Sequence, residues 1–308
     1  MSNKVMSIFH KGWKLLRAMA VISSSAATIV SAMLPLFLYY PVSTGYAVSL
    51  FIILNLAAFT MHGVLTHAFN DYTDYRSGTD QYSPAMLSGG SRVIQEEMIS
   101  HLTLLLIGKW LSIILVGLAG ILAVFGLFEM AVLLLIGVWA AVSYSLPPLR
   151  FSYRPFLGEW LSLFPSILFV GFAGAWIALD HIPVWAMQNA LINALFCLAW
   201  VMVHHIPDLE ADHRAVPAKR TSVVWFTYTF GLYYARFPAL LYLIMTGLCA
   251  FWLGFDRLWA AGGVVVFVSI AVFLVLKMNV TDHEQVTSYE KIMLILAMIT
   301  AVWLGVFI

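Results

Sequence analysis

Two short acidic stretches carry the residue types that could do chemistry. The first reads Asn70-Asp71-Tyr72-Thr73-Asp74-Tyr75-Arg76-Ser77-Gly78-Thr79-Asp80. Asn70 and Asp74 are four apart and share a helix face, with Asp71 one turn back from Asp74 on a neighbouring stripe. The second reads His204-His205-Ile206-Pro207-Asp208-Leu209-Glu210-Ala211-Asp212. Here Asp208 and Asp212 repeat the four-residue spacing and share a face if the segment after Pro207 is helical. Carboxylates gathered at a helix C-terminus work against the partial negative charge already there. They make sense as ligands of Mg²⁺, which takes a few carboxylates and completes its octahedron with water and phosphate oxygens. Two such groups facing one space would hold a diphosphate bridged by Mg²⁺ and stabilise the charge that develops as diphosphate leaves. The metal ligands predicted on this basis are Asp74, Asp80, Asp208 and Asp212. The competing reading of the first stretch is a solvated acidic loop capping its span. His204 and His205 suggest zinc, but the remaining donors are hard carboxylates without cysteine, which argues against it.

Basic residues follow both stretches. Ser88-Gly89-Gly90-Ser91-Arg92 is a small-residue turn ending in Arg, able to present backbone N–H groups to an anion. Tyr144-Ser145-Leu146-Pro147-Pro148-Leu149-Arg150 forms another polar connection, and Lys219-Arg220 trails the second acidic stretch. Singly these are ordinary loop cations; together Arg92, Arg150, Lys219 and Arg220 offer phosphate contacts opposite the metals.

The elements that must position these residues are membrane spans. The chain has 308 residues, 62% hydrophobic and 10% charged, with a mean hydropathy of +0.92. A soluble domain carries roughly a quarter charged residues. Apolar stretches of about 20 residues, the length that crosses a bilayer as a helix, separate the charged bands. The fold class is therefore all-α integral membrane, and the short alternating segments of a barrel are lacking. Nine spans are predicted, near 15–40, 47–69, 101–125, 128–146, 157–179, 184–207, 228–254, 258–277 and 290–308. Four spans separate the two acidic stretches, so both lie on one side. If the N-terminus (Lys4, Lys11, Lys14, Arg17) is cytoplasmic, every one of the 16 Lys and Arg except Arg257 falls in an inner band or an adjoining inner helix half. The expected protein is a single domain over 1–308 in the cell membrane. Its polar loops at about 70–100 and 208–227 are cytoplasmic and its C-terminus external. The first apolar segment is too long for a signal-peptide core and has no small-residue cleavage site, which predicts an uncleaved first span. Cys197 and Cys249 fall inside spans and read as packing residues.

On these residues the chain resembles the UbiA superfamily of intramembrane prenyltransferases along nearly its whole length. That family's first motif, an Asn followed by Asp residues after the second span, is matched by Asn70, Asp71, Asp74 and Asp80. Its second, a DxxxD after the sixth span, is matched by Asp208 and Asp212, with Lys219-Arg220-Thr221 trailing. The stretch at 144–150 and Gly158-Glu159 resemble the family's loop between the fourth and fifth spans. The six-residue step from Asp74 to Asp80, with Gly78 between, is similar to the naphthoate prenyltransferases of menaquinone biosynthesis. Where the family often has Asn before the second motif, this chain has His204.

The resemblance implies nine helices around a central apolar cavity and Mg²⁺-dependent transfer of a polyprenyl group from polyprenyl diphosphate to a small aromatic acceptor, with 1,4-dihydroxy-2-naphthoate the one its closest motif form suggests. It implies substrate contacts from Asn70, Arg92, Tyr144, Arg150, His204, Lys219 and Arg220, and catalytic roles for Asp71, Asp74 and Asp208, with Asp71 or Asp74 placed to act on the acceptor's proton. The expected partners are these two substrates and the lipid bilayer, with no nucleic acid. A UbiA-type terpene cyclase, needing no acceptor, would use the same metal motifs. A secondary transporter would instead place its charges near the bilayer midplane.

Overall fold

The computed structural model describes residues 17–84 and 87–308; Lys4, Lys11 and Lys14 of the basic start lie outside them. Among the described residues nine helices are long and apolar enough to cross a membrane. They are α1 (Ala18–Leu38), α2 (Thr44–Ser77), α3 (His101–Val124), α4 (Phe128–Ser145), α5 (Glu159–Leu179), α6 (Val184–His204), α9 (Leu232–Leu253), α10 (Leu258–Lys277) and α11 (His283–Val306). Two short helices, α7 (Leu209–Arg214) and α8 (Ser222–Phe230), stand between α6 and α9. The chain is a multi-pass, all-helical membrane protein.

Helix starts follow side-chain capping. Ser100 accepts from Thr103 N (3.1 Å) and Asp282 from Gln285 N (3.0 Å), satisfying backbone donors that a helix leaves free at its N-terminus. Gly78 ends α2 in the left-handed region at φ 81°. Close approach is set by small residues: a Cβ on Gly171 of α5 would come within 2.8 Å of Ala190 Cα in α6. Helix α6 is the centre of the bundle, 83% of its span buried against 22% for α3. It packs on α5, α9, α11 and α1, whereas α3 packs on α4 and α2 at the periphery.

Three boundaries differ from the sequence expectation. The seventh span begins at Leu232, not near 228, and residues 222–230 form the separate helix α8. Trp225, Tyr228, Phe230 and Tyr233 are exposed along this segment, as aromatic residues are at a membrane interface. The ninth span begins at His283 rather than near 290, so Glu290 lies two turns inside it. Helix α2 runs on to Ser77. At 1.5 Å per residue its 34 residues reach about 50 Å, well beyond a hydrocarbon core of about 30 Å. Asn70, Asp71 and Asp74 therefore lie on an extension of this helix, and Asp80 on a separate short turn of helix (Thr79–Tyr82) past Gly78.

Candidate active site

Wide i→i+5 turns interrupt both α1 (Ile22–Ala26) and α2 (Phe59–Thr66). They face each other where Ser25 Oγ meets His62 Nδ1 at 2.9 Å. Beyond this point α2 carries Asn70, Asp71 and Asp74 toward the ends of α6 and α7. The chain after α7 docks on the end of α2, where Val216 N donates to Ser77 O (2.8 Å). Lys219 N donates to Asp212 O (2.8 Å), which turns the Lys219 side chain inward.

The two acidic motifs meet at Lys219. Its Nζ donates to Asp74 Oδ2 at 2.9 Å and Oδ1 at 3.1 Å and stands 3.7 Å from Asp212 Oδ1. Asn70 Nδ2 donates to Asp74 Oδ2 (3.0 Å), fulfilling the shared-face expectation. Gln95 Nε2 donates to Asp80 Oδ2 (2.8 Å) and Ser83 Oγ to Asp208 Oδ1 (2.6 Å). Asp208 is the N-cap residue of α7, so the segment after Pro207 is helical as the spacing required. Asp74, Asp80, Asp208, Asp212, Lys219, Asn70, Tyr144 and His204 all line one polar cavity of about 110 Å³.

Electrostatics in this cavity are tense. Burial pushes Asp80 up to about 7, with Asp74 and Asp71 adding to the shift. Burial likewise raises Asp212 well above the usual carboxylate range, against the pull of Lys219. On Lys219 burial opposes the charge, but Asp212 and Asp74 outweigh it and hold its pKa well above the ordinary value. Asp212 Oδ1 accepts no hydrogen bond.

Four of the expected site residues are placed elsewhere. Asp71 turns away from the cavity and accepts from both the hydroxyl and the backbone N–H of Ser91, because its position one turn before Asp74 points it at the 88–92 turn. Arg92 is spent on the backbone of that same loop, donating to Asp80 O at 2.8 Å. Arg150 lies over the Tyr153 ring, 4.9 Å from its centroid. Arg220 is exposed, since the turn that aims Lys219 inward aims its neighbour out. None of these four is among the residues lining the cavity.

His204 and Tyr144 are among the substrate contacts expected here; Arg17, His62, Thr66, Leu163, Trp200 and Val201 also line the cavity and belong to no motif. Arg17 reaches in from the start of α1, donating to Leu87 O at 2.8 Å and lying 3.3 Å from His204 Nε2. His204 Nδ1 lies 2.6 Å from Glu290 Oε1 of α11. Tyr153 donates to Ser77 Oγ (2.8 Å) and lies 3.4 Å from Asp74 Oδ1. His62, Thr66, Tyr144, Leu163, Trp200 and Val201 line both the polar cavity and a larger apolar one of about 350 Å³ that adjoins it. The apolar cavity continues between α2, α4 and α5, past Met61, Gly137 and Phe169.

Among the described residues no three His, Cys, Asp or Glu side chains form a ready-made metal cage. The donor set nonetheless fits Mg²⁺, which is usually held by one or two carboxylates together with water and substrate phosphates. Four aspartates, one with an unpartnered oxygen, face a single space and would supply those carboxylates.

No protein-family profile matches the chain. A curated relative, a lycopene elongase/hydratase of Corynebacterium glutamicum, is 28% identical over 206 residues, covering 63% of this chain. The chain spans 65% of the length of that relative. Among solved structures, a UbiA homologue from Archaeoglobus fulgidus bound to GPP and Mg²⁺ superposes with a TM-score of 0.63 at 16% identity, over 96% of this chain and 99% of that one. The same homologue bound to DMAPP and Mg²⁺ gives 0.60, also at 16% identity, over 97% and 100%. The chain has the UbiA fold.

Proposed function

We propose that this protein transfers a prenyl group from a prenyl diphosphate to an acceptor, with Mg²⁺ held by Asp74, Asp80, Asp208 and Asp212. The observation that carries the reading is the join between a carboxylate-lined polar cavity and an apolar one through six shared residues. A prenyl diphosphate is an anionic head on an apolar tail, and this is the shape that accommodates it. The solved homologues bound to GPP or DMAPP with Mg²⁺ support the same substrate class.

Bound Mg²⁺ supplies neutralising charge for the diphosphate. The chain's own residues do the rest. Lys219 offers its ammonium to a phosphate oxygen in exchange for Asp74, while Asn70, Gln95 and Ser83 keep Asp74, Asp80 and Asp208 in fixed orientation. The reacting carbon would sit where the cavities join, beside His62, Tyr144 and Trp200. The apolar walls there keep water from the allylic cation, and the Trp200 and Tyr144 rings favour its charge. The Lys and Arg bands support a cytoplasmic N-terminus and site and an external C-terminus.

The resemblance of the Asp74-to-Asp80 step to that of the naphthoate prenyltransferases favours 1,4-dihydroxy-2-naphthoate as acceptor. A second reading rests on the curated relative, whose name denotes lycopene elongation, and takes an isoprenoid alkene in place of the arene. The deciding experiment supplies purified protein in nanodiscs with Mg²⁺, geranyl diphosphate and either acceptor, and identifies the products by mass spectrometry. Prenylated naphthoate supports the first reading and elongated lycopene the second. Cyclic hydrocarbon formed without acceptor would replace both with the cyclase.

A further inference from the structure

The inner ends of α6 and α11 meet in a pair that the proposed reaction has not yet used. His204 Nδ1 lies 2.6 Å from Glu290 Oε1. The Glu290 side chain is fully buried, and its other oxygen, Oε2, has no hydrogen-bond partner. An ionisable group this far inside a span is costly to keep, and its partner indicates its use. With a carboxylate on Nδ1, that nitrogen carries the ring proton, and Nε2 is left as the acceptor; here it faces an N–H of Arg17 at 3.3 Å, which a proton from the substrate would displace. His204 lines the polar cavity.

The other cavity histidines are differently committed. His67 Nδ1 contacts Gly63 O at 2.9 Å, and His62 Nδ1 contacts Ser25 Oγ at 2.9 Å. His205 has an unpartnered Nδ1 and is held neutral by burial. Of the four, His204 alone is backed by a carboxylate, the arrangement that orients a general base and steadies the imidazolium it becomes.

We infer that His204, oriented by Glu290, takes the proton that the acceptor loses when it is prenylated. The inference rests on the prenyl-transfer reading. The C1–O bond breaks and its electron pair leaves with diphosphate. A π pair of the acceptor forms the new bond to C1. The C–H pair of the alkylated acceptor restores the double bond, and the proton passes to His204 Nε2. An arene ring hydrogen and an allylic hydrogen of an alkene obey the same accounting. The charged and titratable groups that share the cavity with His204 or contact it are Arg17 from α1, His62, His67 and Asp74 from α2, Asp80 just beyond it, Tyr144 from α4, His205, Asp208 and Asp212 beyond its own helix, Lys219 after α7, and Glu290 from α11.

The test compares wild-type protein with His204→Gln and Glu290→Gln in nanodiscs, using geranyl diphosphate, Mg²⁺ and both acceptors. Prenylated product and geraniol are measured from pH 5.5 to 9. The wild type should show a limb of kcat/KM rising with pH. In His204→Gln that limb should vanish and prenylated product fall about a hundredfold, the scale of a lost general base. KM for geranyl diphosphate should change by less than about threefold, and the share of geraniol should rise. Glu290→Gln keeps an acceptor for Nδ1–H but removes the charge that steadies the imidazolium, so it too should lower prenylated product with KM for geranyl diphosphate little changed, and it serves the test should His204→Gln fold poorly. A limb that persists in His204→Gln at the wild-type rate of product formation belongs to the aspartates and overturns the inference. Failure of the wild type to prenylate either acceptor overturns the function reading, and this one with it.

Discussion

Lys219 Nζ lies 2.9 and 3.1 Å from the two oxygens of Asp74, a residue 145 positions earlier in the chain. One ammonium thus ties the end of α2 to the loop after α7, with Asp212 a further 3.7 Å contact. The Lys219 and Asp74 side chains are both 8% exposed, so neither charge is well solvated without the other. Lys219→Met should therefore destabilise the protein by about 3 kcal/mol, the scale for removing one partner of a buried pair. Added Mg²⁺ should restore much of that loss by taking the place of the missing cation. Thermal unfolding in detergent with and without Mg²⁺ measures both effects. Arg220→Ala, by contrast, should change stability and activity little, since its side chain is exposed.

The same cavity predicts a pH dependence. The folded protein holds Asp80 at about 7, above its ordinary value. In the range from about 4 to 7 the folded state then binds a proton that the unfolded state has released. The contribution of Asp80 to stability in the absence of Mg²⁺ should therefore fall as pH rises through this window, and Asp212, also raised, adds in the same direction, whereas His205, held neutral by burial, works in the opposite one. Mg²⁺ binding needs these carboxylates ionised, so the metal should flatten the profile and release protons as it binds. Melting temperatures of wild type and Asp80→Asn at pH 5 and 7.5 with EDTA or excess Mg²⁺ give the comparison; a wild-type profile that rises more steeply with pH in EDTA than that of Asp80→Asn contradicts it.

Much of this site was legible in the sequence, for a physical reason. Charges are scarce in a membrane chain, so Asp74, Asp80, Asp208 and Asp212 stand out, and four-residue spacing correctly put Asn70 against Asp74. Local spacing also says what a residue does not face, but not what it does face. Asp71 and Arg92 lie beside the site in sequence, yet the fold of the 88–92 turn takes them for itself. Lys219 and Arg220 are chemically alike neighbours, and the backbone contacts of Val216 with Ser77 and of Lys219 with Asp212 decide which points inward. Hydropathy could not separate α8 from the following span, because Trp225 to Phe237 is equally apolar whether it lies on a membrane or crosses it. Arg17, His204 and Glu290 come from three distant helices, and no spacing rule joins them.

The apolar cavity should set tail length through Gly137. A Cβ there would come within 2.3 Å of Met61 Sδ, and both residues line the cavity. Gly137→Val should push Met61 into the space beyond the joining residues. Use of geranylgeranyl diphosphate should fall about tenfold relative to geranyl diphosphate, the scale of discrimination by a hydrophobic pocket. Competition between the two diphosphates, read by mass spectrometry, measures the ratio.

At the opposite end of the bundle, Arg257 closes the structure. Its guanidinium donates to Gln188 Oε1 (2.9 Å), Asn189 Oδ1 (2.9 Å), Leu304 O (3.1 Å) and Phe307 O (2.9 Å). These contacts fasten the end of α11 to the start of α6. Arg257→Ala leaves several buried acceptors unpaired and should cost about 2–3 kcal/mol of stability. The activity of the protein that remains folded should be close to that of wild type, because the site lies at the other end of both helices. Unfolding curves and activity normalised to folded protein separate the two.

The most direct test of the central claim is Mg²⁺-dependent release of diphosphate from geranyl diphosphate by purified protein, measured alongside Asp74→Ala and Asp208→Ala. The account predicts turnover with Mg²⁺, none with EDTA, and a loss of at least about a hundredfold in either variant. Absence of Mg²⁺-dependent release by a well-folded wild-type protein, or release that survives loss of both aspartates, would contradict it.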